Sequence, residues 1–123
     1  MIAALDFDPD AVAVTRENLA LNHIPEGVVE ASVADVTRDP LPTAALVVAN
    51  ILASVLIQAA DRIAATVAPG GALVLSGILD AQFAEVESAY AAHGFRCEES
   101  VLDAEWRSGL FRKPCAPEAA VLR

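Results

Sequence analysis

Three short strand-like runs in this chain each stop at a polar residue: the apolar Ile2 to Leu5 at Asp6, Val28 to Ala34, interrupted by Glu30 and Ser32, at Asp35, and the apolar Ala44 to Ala49 at Asn50. If these runs are parallel strands, the three polar side chains stand at carboxyl ends, where open α/β sheets bind their ligands. A carboxylate at the end of an early strand can accept hydrogen bonds from both hydroxyls of a ribose. That arrangement serves a dinucleotide and an adenosyl cofactor equally, and Asp6 could as well cap a turn. Asp35 could accept from an adenine amino group or simply begin the turn that follows. Asn50 carries the sharper signal, because a carboxamide offers a carbonyl and an NH2 that can receive and orient an amine.

The other reactive side chains form no constellation. His23 and His93 stand alone, and Cys97 and Cys115 lack the short spacing of a metal site, so no metal is expected. No residue is placed to serve as a general base. The formal net charge of −9, from 17 acidic and 8 basic residues, would repel a phosphate backbone and argues against nucleic-acid binding. No apolar run approaches the roughly 18 residues of a membrane span, and no signal segment follows Met1. A cytoplasmic location and no membrane contact are therefore the expectation.

Hydrophobic spacing gives the elements that must hold these residues. Ile2 to Leu5 reads as a strand, and Asp8 as the N-cap of a helix that has Pro9 at its first position and runs to about Leu21. Asn22, His23 and Pro25 supply the stop, with Val12 and Leu19 on the inner face and Arg16 and Glu17 toward water. Val28 to Ala34 is a second strand, and Arg38 to Pro42 a turn. The stretch Ala45 to Ala53 organises the rest: Ala44 to Ala49 reads as a buried central strand, and Ser54 to Val67 as one helix with apolar residues four apart. Pro69, Gly70 and Gly71 break that helix before a strand over Ala72 to Ser76, and Gly77 allows a close turn. A helix over Asp80 to Ala92 should bury Phe83, Val86 and Tyr90, with Glu85 and Glu87 outward. Phe95 to Leu102 and Glu105 to Arg112 form an antiparallel hairpin around Asp103 and Ala104, and Lys113 to Arg123 is an irregular tail. Alternating strands and helices predict an α/β fold with a mostly parallel sheet covered on both faces.

Several segments carry a family resemblance: A-L-D-F-D-P-D-A-V at Ala4 to Val12, E-N-L-A-L-N at Glu17 to Asn22 and V-V-A-N-I-L-A at Val47 to Ala53. A-P-G-G at Ala68 to Gly71, L-S-G-I-L at Leu75 to Leu79 and E-W at Glu105 and Trp106 extend it. Together they resemble the class I S-adenosylmethionine-dependent methyltransferases, in particular the ribosomal protein L11 methyltransferase family, over about Ile2 to Lys113. The resemblance implies a Rossmann-like sheet and S-adenosylmethionine as cofactor. It further implies methyl transfer to lysine or α-amino nitrogens of a large-subunit ribosomal protein. By position, Asp6 is then the ribose-binding acid and Asp35 the residue near adenine. Asn50 lies beside the methionine end of the cofactor and the incoming amine, and Ile51 and Leu52 continue the pocket floor.

The chain also departs from that family. It holds no G-x-G-x-G, whereas the family places a glycine-rich cofactor loop after a first strand, ahead of the segment that begins at Ile2. The expectation is therefore an N-terminally truncated methyltransferase domain over residues 1–113 with a tail over 114–123, binding cofactor weakly or not at all by itself. In the family the first strand lies between the strand ending at Asp6 and the one ending at Asn50. Its absence predicts a sheet that closes up, rearranges, or is completed by another chain through oligomerisation. Ala45 stands where relatives commonly have an acidic residue. The competing readings are a glutamine or small-molecule methyltransferase, a nicotinamide dehydrogenase half-domain, and a non-catalytic remnant that acts in binding or assembly. Amide-directed enzymes typically carry N-P-P-Y where this chain has N-I-L-A, and no dinucleotide fingerprint accompanies Asp6.

Overall fold

The computed structural model describes residues 1–115 and 120–123; the expected tail thus falls partly on 116–119, outside the described residues. The chain divides into two compact units, Met1–Pro42 and Thr43–Arg123, and its strands pair as two sheets.

The first unit is a βαβ motif of β1 (Ile2–Asp6), α1 (Pro9–Leu21) and β2 (Val29–Val33). β1 and β2 are parallel, with Ile2 opposite Val29 and Asp6 opposite Val33. The helix starts as its sequence dictates. Asp8 holds extended dihedrals, its carboxylate accepts the Asp10 N–H at 2.9 Å, and Pro9 occupies the first turn, where a missing N–H costs nothing. At the other end Asn22 caps the helix and His23 turns to φ 54°. Val12 is buried. Arg16 does not simply face water: its guanidinium donates to the Ala31 carbonyl at 2.7 Å, tying α1 to β2. The sheet remains thinly covered, with Ile2 61% and Val33 53% exposed.

The second unit comprises β3 (Ala44–Asn50), α2 (Ala53–Gln58), α3 (Ala60–Thr66), β4 (Val67–Leu79), α4 (Asp80–Ala91), β5 (Arg96–Asp103) and β6 (Trp106–Arg112). Its strand order is β3-β4-β6-β5, parallel between β3 and β4 and antiparallel across β4, β6 and β5. The expected terminal hairpin is present, shifted by one residue. Asp103 pairs with Trp106, and Ala104 takes the left-handed φ of 53° that a two-residue connection demands.

Four expectations change in this unit. The helix expected over Ser54 to Val67 is divided at Ala59, whose dihedrals (φ −99°, ψ 18°) leave the helical range while its N–H still reaches the Val55 carbonyl at 2.8 Å. The strand expected over Ala72 to Ser76 extends from Val67 to Leu79. Pro69, Gly70 and Gly71 are absorbed as an irregularity in its pairing with β3, between Ala44 opposite Val67 and Leu46 opposite Ala72. The sheet is mixed rather than mostly parallel, and only one of its faces is buried: Leu73 and Leu75 are fully enclosed, whereas Val74 between them is half-buried. Finally, β3 is not a buried strand. Leu46 is 60% and Val48 64% exposed, because β3 is an edge strand bonded to β4 alone and both residues lie on the uncovered face.

The covered face supports α2, α3 and α4 around Leu56, Leu73, Leu75, Val86, Tyr90 and Phe111, each 0% exposed. Tyr90 meets Phe95 edge-on with centroids 6.1 Å apart, a favoured aromatic geometry. Enclosing a side chain of this size contributes about 1.5–3 kcal/mol, so this cluster is the principal core. The first tail residues are fastened to it. Lys113 N–H donates to the Gly71 carbonyl at 3.0 Å, and the Lys113 ammonium donates to the Ala64 and Val67 carbonyls at 2.9 and 2.7 Å, closing the end of α3. No helix among the described residues is long and apolar enough to cross a membrane.

Candidate functional site

At the carboxyl end of the two-stranded sheet, Asp6 is exposed and one carboxylate oxygen accepts the Asp8 N–H at 2.9 Å. Its backbone carbonyl accepts the Ala34 N–H at 2.9 Å, which brings the segment after β2 alongside. Asp35 follows two residues beyond β2 and folds into its own turn. One of its oxygens accepts the Thr37 N–H at 2.9 Å and the Thr37 hydroxyl at 2.6 Å, and the other pairs with Arg38 at 3.3 Å. Its N–H donates to the Asp39 carboxylate at 2.7 Å. Asp35 thus takes part in the turn that follows β2. A ligand amino group would have to compete with Thr37 and Arg38.

At the carboxyl end of β3, Asn50 is opposite Ser76 of β4 and exposed. Ile51 is half-buried, and Leu52, 71% exposed, sits at the N-cap of α2. The Leu52 carbonyl accepts the N–H groups of Val55 and Leu56, both at 3.0 Å, so Asn50, Ile51 and Leu52 make a direct strand-to-helix turn. β4 bulges beside this turn. Leu75 is opposite Gly109 and Ile78 opposite Arg107, which leaves one extra residue on β4 at Ser76 and Gly77. β4 then leads straight into α4. There the Asp80 N–H donates to the Glu105 carbonyl at 2.9 Å and the Asp80 carboxylate accepts from Arg107 at 2.7 Å.

Asp6 and Asp35 thus share the carboxyl end of one sheet, and Asn50, Ile51 and Leu52 that of the other. The histidines join neither: His23 is in the turn after α1 and His93 in the turn after α4. Burial, and then the Glu87 carboxylate, push the Cys97 thiol above its usual range, which disfavours the nucleophilic thiolate. Among the described residues, no group of three or more His, Cys, Asp or Glu side chains is arranged to hold a metal ion. The site reading from sequence overlooked Gly77 beyond its turn. The S-G pair directly after an apolar strand was the available signal, but its meaning depends on β3 and β4 being neighbours.

A family model described as Ribosomal protein L11 methyltransferase (PrmA) matches residues 1–114. The chain belongs to the ribosomal protein L11 methyltransferase family. A relative named ribosomal protein L11 methyltransferase, from Citrifermentans bemidjiense, is 45% identical over 115 residues, covering 92% of this chain and 36% of the relative. The crystal structure of ribosomal protein L11 methylase from Lactobacillus delbrueckii subsp. bulgaricus superposes with a TM-score of 0.79 at 26% identity, over 90% of this chain and 57% of that one. The N-methyltransferase NodS from Bradyrhizobium japonicum, solved in complex with S-adenosyl-L-homocysteine, has a TM-score of 0.68 at 19% identity, over 91% of this chain and 66% of that one; it speaks for the fold alone. The fold is the Rossmann-like methyltransferase type, and the chain spans about a third of the length of the curated L11 methyltransferases it matches. Family membership favours the L11 methyltransferase family over the glutamine and small-molecule methyltransferases and over a dehydrogenase half-domain.

Proposed function

We propose that this chain supplies the ribose-binding and amine-orienting residues of a methyltransferase that acts on lysine or α-amino nitrogens of ribosomal protein L11, with S-adenosylmethionine as cofactor. The observation that carries this reading is the exposed Asn50 carboxamide at the carboxyl end of β3, in a chain of this family. Residues 1–113 are assigned to the catalytic part.

The residues present fit the cofactor in part. Asp6 has one oxygen steadied by the Asp8 N–H and stands exposed at a strand end, as a ribose diol requires. Asp35 fits less well, since its carboxylate already serves Thr37 and Arg38. When bound, the cofactor supplies a methyl group already activated by its sulfonium. The task left to the protein is to align a neutral amine behind that methyl. The Asn50 carbonyl can accept an N–H of the amine and so fix the direction of its lone pair. Ile51 and Leu52 present apolar surface, which disfavours the ammonium form and thereby frees the lone pair.

A chimera tests the proposal: residues 1–114 replace the matching segment of the Citrifermentans bemidjiense relative, and transfer of labelled methyl to purified ribosomal protein L11 is measured. The expected result is transfer by the chimera, reduced by Asp6→Ala and by Asn50→Ala. A folded chimera that transfers nothing, or one indifferent to both substitutions, overturns it.

A further inference from the structure

We infer that Gly77 is the positioning residue for Asn50: the glycine bulge of β4 is a seat into which the Asn50 carboxamide is set. Two independent observations meet here. The first is the pairing of β4 with β6, which gains one residue on β4 between Leu75 and Ile78, so that the backbone at Ser76 and Gly77 swells next to the end of β3. Such bulges bend a strand and re-aim the side chains beside it. The second is a contact. A Cβ built on Gly77 would lie 2.5 Å from the Asn50 carboxamide oxygen, and no closer than 3.7 Å to any other atom, the nearest being the Asn50 Cγ and the Ile51 carbonyl oxygen.

The obstruction is therefore specific. Nothing in the core of the second unit stands in the way of a methyl group at position 77; only the oxygen of Asn50 does. Gly77 also holds φ 75°, a conformation that side chains resist, so the bulge and the absent Cβ select the same residue. Asn50 is exposed and can rotate away, so the consequence of a methyl group at 77 falls on the direction of the carboxamide more than on the fold. This inference rests on the methyl-transfer reading only for what the carboxamide is aimed at; the seat itself does not depend on it.

The test uses the isotopically labelled 123-residue chain and follows the side-chain NH2 signals of Asn50 by NMR, assigned through Asn50→Asp. Gly77→Ala is compared with Gly27→Ala, which carries a similar backbone strain at φ 86° but has nothing within 4 Å of the added Cβ. The expected result is that Gly77→Ala moves the Asn50 signals and Gly27→Ala leaves them in place, while both chains keep the dispersed spectrum of the folded protein. Unmoved Asn50 signals in Gly77→Ala overturn the inference, as does an equal movement in both variants. A titration with S-adenosyl-L-homocysteine separates this from the functional reading. Asn50 signals that ignore the ligand in the chimera with the Citrifermentans bemidjiense relative, while other signals of that chimera move, count against the amine-orienting role, whereas signals that respond there and no longer respond when the chimera carries Gly77→Ala support the seat and its purpose together.

Discussion

The phenol hydroxyl of Tyr90 donates a 2.9 Å hydrogen bond to the carbonyl oxygen of Leu56, and both residues are 0% exposed. Leu56 lies in the last turn of α2, where carbonyls run out of helical partners. Tyr90→Phe keeps the ring and deletes the donor. Leaving the carbonyl enclosed without that partner is expected to cost about 1–3 kcal/mol, read as a lower urea midpoint with an unchanged denaturant slope.

The same phenol makes stability depend on alkaline pH. Burial pushes Tyr90 well above its usual range. Above pH ~10 the unfolded chain releases the phenol proton while the folded chain retains it. The unfolded state then binds fewer protons, so stability is full below that pH and declines as pH rises. Tyr90 is the sole tyrosine of the chain. Near-ultraviolet titration should therefore show phenolate only as the circular dichroism of the fold is lost, and Tyr90→Phe should remove this contribution to the alkaline decline.

The exposure of β3 gives a sharp contrast between neighbouring strands. Val48→Lys, at a residue 64% exposed, is expected to alter stability by no more than about 0.5 kcal/mol. Leu73→Ala, at a residue 0% exposed, is expected to cost about 2–5 kcal/mol. Paired denaturation curves decide it: a large penalty at Val48 would mean that β3 is covered.

Lys113 acts as a clasp on α3. Lys113→Met retains most of the stem and removes the donors to Ala64 and Val67. The expected loss is about 1–3 kcal/mol, together with faster amide exchange at the end of α3.

In the chimera, Asn50→Ala should lower kcat about 100-fold, the scale associated with misplacing a reacting group. Gly77→Ala should reproduce much of that loss, and the double variant should be no worse than Asn50→Ala, because both substitutions disable one carboxamide.

What the sequence conveyed well was local. The Asp8–Pro9 start of α1, the apolar face of Phe83, Val86 and Tyr90 on α4, and the two strands of the C-terminal hairpin depend on caps, spacing and turns within a few residues. What it conveyed poorly was which faces are covered. An apolar strand reads as buried whatever lies over it, so Leu46 and Val48 gave no sign of lying on an uncovered face. Lys113 looked like tail because its partners, Ala64 and Val67, are far away in sequence. At the site, Asn50 was legible as a strand-end carboxamide, and Gly77 only as a turn, since their relation exists only once β3 and β4 are paired.

The order of strands in the second unit also governs when it can form. β6 follows β3, β4 and β5 along the chain yet lies between β4 and β5 in space, with Leu73 opposite Phe111 and Cys97 opposite Phe111 on the other side. A chain emerging from synthesis can pair β3 with β4 early, but β4 and β5 have no ladder with each other until β6 arrives to bridge them. Closure of that long loop comes late and is entropically slow. Until then β4 carries an open edge of unpaired N–H and C=O groups on the side that β6 will take, which makes that edge the part of the unit most open to pairing with another chain before folding is complete.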